Sequence, residues 1–96
     1  MHKNKLNFKF PFSRFEIQDK SMVPSFRPNE RVLTYNWGKI QKGSVIVFKN
    51  KDKIYIKRVD KIVDGMVHVF GDNKKLSSKV EPVSFDRLIG RIFIKY

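Results

Sequence analysis

Ser21 lies in a segment that could present a nucleophile. Residues 21–26 have the sequence Ser-Met-Val-Pro-Ser-Phe, and a second proline, Pro28, follows shortly afterwards. Because proline fixes its own φ and restricts the residue before it, Pro24 and Pro28 predict a stiff loop ahead of a strand. A serine hydroxyl in such a loop needs an adjacent base before it can attack a carbonyl. Taken alone, the segment also fits a turn with a solvated serine.

Lys57 could supply that base. The alternating run over residues 53–59 predicts a strand with Tyr55, Lys57 and Val59 on one face. A lysine on a partly apolar face loses solvation, which lowers its pKa and favours the neutral amine. The other cations of the chain are expected to lower this pKa further. The alternative is that Lys57 is one more exposed lysine.

Gly71-Asp72-Asn73, followed by Ser77, is the third group of interest. By itself it fits a polar turn after a strand. The order of the motifs favours a site instead: Ser-Met-x-Pro comes first, then Gly-x-Val-Ile-Val-Phe, Lys-Arg, Gly-Asp-Asn and a final Gly-Arg.

Short strands have to position these residues, because period-two alternation dominates the chain. Asp64-Gly65 is a favoured two-residue hairpin turn, and a single helical turn is predicted near Pro82. The predicted strands cover residues 8–15, 30–35, 44–49, 53–59, 59–63, 66–70 and 88–95. The sequence therefore predicts an all-β fold, a small folded sheet or partly open barrel of six to seven strands.

The composition limits the kinds of site and of partner that the protein can have. The chain has 96 residues, no cysteine, two histidines and a net charge of +12 from 21 Lys and Arg against nine Asp and Glu. Disulfides and cysteine-based metal sites are excluded, and the length predicts one domain over residues 1–96. The charge favours an acidic partner, either nucleic acid or an anionic membrane. The alternative is a general richness in lysine.

The ordered motifs resemble the bacterial type I signal peptidases, which are serine/lysine-dyad endopeptidases. The resemblance runs from about Glu16 to Tyr96. The matching segments are Ser21-Met22-Val23-Pro24-Ser25-Phe26, Gly43-Ser44-Val45-Ile46-Val47-Phe48, Lys57-Arg58-Val59 and Gly71-Asp72-Asn73.

The resemblance implies a fold of the signal-peptidase catalytic-core type and a mechanism. Ser21 would be the nucleophile, Lys57 the general base and Ser77 the residue that orients the lysine amine. The Ser21 backbone N–H would be one oxyanion donor. No metal or organic cofactor is implied, and the substrate would be a precursor protein whose leader binds as an added strand. Residues that support the motifs are Met22, Pro24, Arg58, Gly71, Asp72 and Asn73.

The chain also departs from that family. Asp19 stands where a serine or glycine usually helps to bind the oxyanion, and a carboxylate beside a developing oxyanion is unfavourable unless it points away. Lys79-Val80-Glu81 stands where Asp-Ser-Arg is usual after Ser77. Residues 58–70 leave no room for the second β-domain that many members have between the base and Gly-Asp-Asn.

The chain also resembles two related families of proteases, and one function outside the proteases is possible as an alternative. The compact architecture is similar to the nickel-type superoxide dismutase maturation proteases, which trim an N-terminal extension. LexA-type self-cleaving repressors also use Ser-Met and Lys, but usually lack Gly-Asp-Asn. The alternative outside the proteases is a basic β-barrel that binds nucleic acid. The ordered motifs favour the protease, for which no nucleic-acid partner is expected.

The N-terminal aromatic residues suggest one more partner. Phe8, Phe10, Phe12 and Phe15 are interleaved with Lys9 and Arg14. This pattern, mainly within residues 1–13, predicts a membrane-interface or extension segment that contacts anionic lipid. The expected location is accordingly a membrane surface or the cytoplasm, or the extracytoplasmic face of a membrane if an N-terminal anchor belongs to the protein. The alternative is that these phenylalanines cover the small core.

Overall fold

Seven antiparallel strands form one sheet in the part of the chain that the computed structural model describes, residues 10–75 and 80–96. The strands are β1 (Phe12–Glu16), β2 (Arg31–Tyr35), β3 (Val45–Asn50), β4 (Lys53–Val63), β5 (Met66–Phe70), β6 (Val83–Ser84) and β7 (Leu88–Lys95). Their order across the sheet is β1-β2-β7-β3-β4-β5-β6. The all-β prediction is therefore confirmed. No helix among the described residues is long and apolar enough to cross a membrane.

Most strand boundaries follow the predicted alternation. The hairpin turn at Asp64 and Gly65 is confirmed, since both residues have positive φ, 51° and 77°. The helical turn expected near Pro82 lies slightly later, as a 3₁₀ turn over Phe85–Arg87. The two-residue strand β6 precedes that turn and had no signal in the sequence, because two residues are too few to show a period.

The sheet is bent by irregularities in its ladders. The register shifts between Leu33 and Thr34, between Val47 and Phe48, and between Val59 and Lys61. Such bulges increase the local twist and bend the strand. As a result β1 and β4, which are not neighbours in the sheet, both line one groove.

Two hydrophobic clusters hold the bent sheet together. The larger cluster consists of residues from β3, β4, β5, β6 and β7, namely Ile46, Phe48, Val59, Val67, Val83 and Leu88. The smaller cluster consists of Ile17, Met22, Phe26, Val32 and Val45. Three members of the smaller cluster belong to the loop between β1 and β2. This loop is therefore anchored by burial as well as by its prolines.

Candidate active site

The loop that contains Ser21 connects β1 to β2, and backbone hydrogen bonds close it at its base. The N–H of Ile17 donates to the carbonyl of Glu30 (2.8 Å), and the N–H of Asn29 donates to that of Ile17 (2.8 Å). Inside the loop, the N–H of Phe26 donates to the Met22 carbonyl (2.9 Å). The Val23–Pro24 peptide bond is cis. These bonds and the buried Met22 fix the backbone on both sides of Ser21.

Ser21 and Lys57 are both buried polar residues. Ser21 is 4% exposed and Lys57 is 2% exposed. Lys57 lies in β4 opposite Ile46 of β3, on the same face of β4 as Val59. The predicted face of the strand is thus observed, and Lys57 is not a solvated surface lysine.

Burial shifts the pKa of Lys57. Loss of solvation lowers the pKa of its amine, and the nearby Asp19 carboxylate opposes this effect in part. The expected additional lowering by the other cations of the chain does not appear among the causes. A buried amine with a lowered pKa is the chemical species that a general base requires.

Asp19, the residue that departs from the family pattern just before Ser21, contacts Ser21 directly. Its carboxylate does not point away from the site. Oδ1 accepts a hydrogen bond from the Ser21 N–H (3.1 Å) and another from the Ser21 Oγ–H (3.0 Å). Because the same carboxylate attracts the Lys57 ammonium, Asp19 links the two predicted reactive residues.

The Gly-Asp-Asn segment supports the loop from the other side. The N–H of Asn73 donates to the Ser21 carbonyl (2.8 Å), and the N–H of Asp72 donates to Met22 Sδ (3.4 Å). Gly71 is buried, which fits its place between strand β5 and these contacts. The motif therefore positions the backbone around Ser21.

Arg58 connects this segment to β4. Its Nε donates to Asp72 Oδ1 (2.9 Å) and its Nη2 donates to Asp72 Oδ2 (2.8 Å), which is a bidentate ion pair. Its Nη1 donates to the carbonyl of Gly43 (2.9 Å). The pairing holds the pKa of Asp72 below its usual range. Three predicted motifs thus meet at one arginine, next in sequence to Lys57.

A groove of about 250 Å³ begins beside Asp19. Its lining comes from β1, from the start of the Ser21 loop and from β4: Phe15, Glu16, Ile17, Gln18, Asp19, Ile54 and Ile56. A second cavity of about 330 Å³ lies elsewhere, between Asn36 and Leu88, and none of the predicted site residues lines it. The groove reaches the neighbourhood of Ser21 through Asp19, while Ser21 and Lys57 themselves are not part of its lining.

Ser77 lies outside the described residues. No group of three or more His, Cys, Asp or Glu is arranged to hold a metal within residues 10–75 and 80–96. His68 lies in β5, half-buried.

The sequence matches the family model Peptidase S24-like over residues 12–93. The chain belongs to this family. The match covers the motifs from Ser21 to Asn73 and supports a LexA-like serine peptidase fold, but it does not single out the signal peptidases that the motifs resemble. A search of curated proteins found no match.

Proposed function

We propose that this S24-like protein is a serine endopeptidase that cleaves a leader or signal peptide from a precursor protein. Ser21 Oγ attacks the scissile carbonyl while neutral Lys57 takes the hydroxyl proton. Lys57 then gives this proton to the leaving amine, and water hydrolyses the acyl-enzyme. The N–H of Ser21 donates to the oxyanion. The supporting observation is a lysine that is 2% exposed and that is attracted by the same carboxylate to which the buried Ser21 hydroxyl donates.

The groove offers a place for the substrate. In the described sheet β1 has one neighbour, β2, so its other edge is available for a further strand. A peptide added there would run along the groove between β1 and the side chains of Ile54 and Ile56. The apolar part of the lining, Phe15, Ile17, Ile54 and Ile56, suits small apolar residues before the cleaved bond. The same chemistry would serve a maturation protease that trims the N-terminus of one particular protein.

An acylating probe tests the function directly. A peptidyl fluorophosphonate, which phosphonylates serine with loss of HF, or a β-lactam-type probe, which acylates serine by ring opening, should add the mass of its retained group to Ser21, as located by peptide mass spectrometry. Ser21→Ala and Lys57→Met should abolish labelling, because one removes the nucleophile and the other removes the base. Ser44→Ala and Lys53→Ala are matched controls that should label at the normal rate. Labelling that persists without Lys57, or that never occurs at Ser21 between pH 7 and 10, would contradict the mechanism.

A separate surface is suited to contact with a membrane. Phe12 of β1 contacts Tyr35 of β2 and Phe93 of β7, with ring centroids 5.7 and 5.8 Å apart. The guanidinium of Arg91 lies 5.7 Å from the centre of the Tyr35 ring. We call Phe12, Tyr35, Phe93 and Arg91 the aromatic face. Half-exposed aromatic rings beside a cation, in a chain with a net charge of +12, match the chemistry of an anionic lipid interface.

Vesicle sedimentation tests this contact. The protein should bind vesicles that contain phosphatidylglycerol more strongly than vesicles of phosphatidylcholine, and added salt should weaken binding. Phe12→Ser with Phe93→Ser should reduce binding, whereas Phe70→Ser, an exposed phenylalanine outside the aromatic face, should not. Equal binding to both kinds of vesicle would argue against the proposed membrane contact.

A further inference from the structure

The carboxylate of Asp19 occupies the two groups of Ser21 that acyl transfer needs. The Ser21 N–H is an oxyanion donor only if no other acceptor holds it, yet Asp19 Oδ1 lies 3.1 Å from this nitrogen. The Ser21 hydroxyl must give its proton to the base, yet this proton is donated to the same Oδ1 at 3.0 Å. The described arrangement is therefore not the one that reacts.

The charge of Asp19 acts in the same direction. Its attraction favours the ammonium form of Lys57, and the ammonium form cannot accept a proton. The contact is nevertheless easy to break. Asp19 is exposed, and its two hydrogen bonds reach a residue only two positions away in the same loop. Rotation of one short side chain can release both bonds without moving a strand.

We propose that Asp19 is a positioning residue that holds the site in a resting state, and that a bound peptide displaces its carboxylate from Ser21 before acylation. The proposal rests on the proposed function, because it assigns a state to the same nucleophile. Asp19 lines the groove beside Ile17 and Ile56, so a peptide in the groove reaches the carboxylate directly. Binding of substrate and release of Ser21 are then one event.

The experiment compares acylation rates in the full chain. If the reactive arrangement is populated at 1–10% in the resting protein, Asp19→Ala should acylate about 10- to 100-fold faster than the wild type. Asp19→Asn keeps an acceptor oxygen without the charge and should show a smaller rise. Asp60→Ala removes an exposed carboxylate from β4 and is the matched control. Slower acylation in Asp19→Ala, or a rate equal to that of Asp60→Ala, would overturn the proposal.

A second readout does not depend on turnover. In Asp19→Ala the Ser21 amide should exchange its proton faster, because its acceptor is gone, and the pKa of Lys57 should fall further below its ordinary value. Both are measurable by NMR. If no variant acylates, the proposed function fails, and amide exchange decides the role of Asp19 alone. Faster exchange in Asp19→Ala supports the restraint of Ser21 by Asp19, and an unchanged rate overturns the proposal.

Discussion

Breaking the ion pair between Arg58 and Asp72 should both destabilise the fold and disturb Ser21. Arg58 makes two bonds to the carboxylate and one to the Gly43 carbonyl, all between 2.8 and 2.9 Å. The side chains are 30% and 14% exposed, so both are largely shielded from water. Removal of Arg58 leaves the Asp72 carboxylate partly buried without its cation.

The expected magnitude follows from these contacts. Hydrogen bonds to charged groups contribute about 1.5–3 kcal/mol each, and loss of one partner adds the desolvation cost of the other. After discounting for the partial exposure of Arg58, we expect Arg58→Ala to lower the free energy of unfolding by about 2–4 kcal/mol. The direct coupling with Asp72 should be about 1–2 kcal/mol. For a domain of this size, stable by about 5–15 kcal/mol, such a loss is large.

Urea unfolding followed by circular dichroism is the assay. A double-mutant cycle of Arg58→Ala and Asp72→Ala gives the coupling, and Lys61→Ala, an exposed cation of the same strand, should change the free energy by no more than about 0.5 kcal/mol. Because Asn73 donates to the Ser21 carbonyl, the folded Arg58→Ala variant should also acylate more slowly. A coupling below about 0.5 kcal/mol, with acylation unchanged, would refute this account of the segment.

Three further outcomes follow from the same geometry. The folded pKa of Lys57 is below its unfolded value of about 10.4, so at pH values between these two pKa values the native state binds fewer protons than the unfolded state. The free energy of unfolding should therefore rise with pH across this range. Lys57→Met should abolish this rise in urea titrations at several pH values. The folded pKa of Asp72 is below its unfolded value of about 4, so the ionised carboxylate stabilises the fold above that pH. This contribution to the free energy of unfolding is lost as the pH falls through the folded pKa. Asp72→Asn should make the free energy of unfolding less dependent on pH in this acid range. A Cβ at Gly90 would lie 2.9 Å from the Tyr35 carbonyl, whereas Gly65 has open space but a φ of 77°. Thermal unfolding should therefore show a larger loss for Gly90→Ala, about 3 kcal/mol or more, than for Gly65→Ala, about 1 kcal/mol.

The strands could be predicted because their signals are local. Alternation placed Lys57 and Val59 on one face of β4, and Asp64-Gly65 fixed the following turn through its positive φ values. The bend of the sheet could not be predicted in this way. It depends on register shifts such as the one between Val47 and Phe48, which are set by pairing with strands distant in sequence. The groove lined by β1 and β4 combines strands that are not neighbours in the sheet, so it depends on this long-range arrangement.

The sequence indicated which residues belong to the candidate site, but it did not indicate how their side chains contact one another. The order of the motifs singled out Ser21, Lys57 and Asp72. In the structure, Arg58 pairs with Asp72, and the N–H of Asn73 donates to the Ser21 carbonyl. The sequence had no signal for the three-way connection of Arg58 to Asp72 and Gly43, because the partners are 14 and 15 positions away and belong to different elements.

The orientation of Asp19 shows where a motif comparison loses its power. An unusual residue type at a motif position predicts an altered site. How the site is altered depends on the side-chain rotamer of that residue, which sequence periodicity does not predict. A carboxylate turned to solvent would leave Ser21 free, whereas the observed one accepts both of its protons. The same carboxylate also opposes the effect of burial on Lys57. In the proposed mechanism, burial therefore prepares Lys57 as the base while Asp19 restrains Ser21 as the nucleophile, and such a site should react only when a ligand separates Asp19 from Ser21.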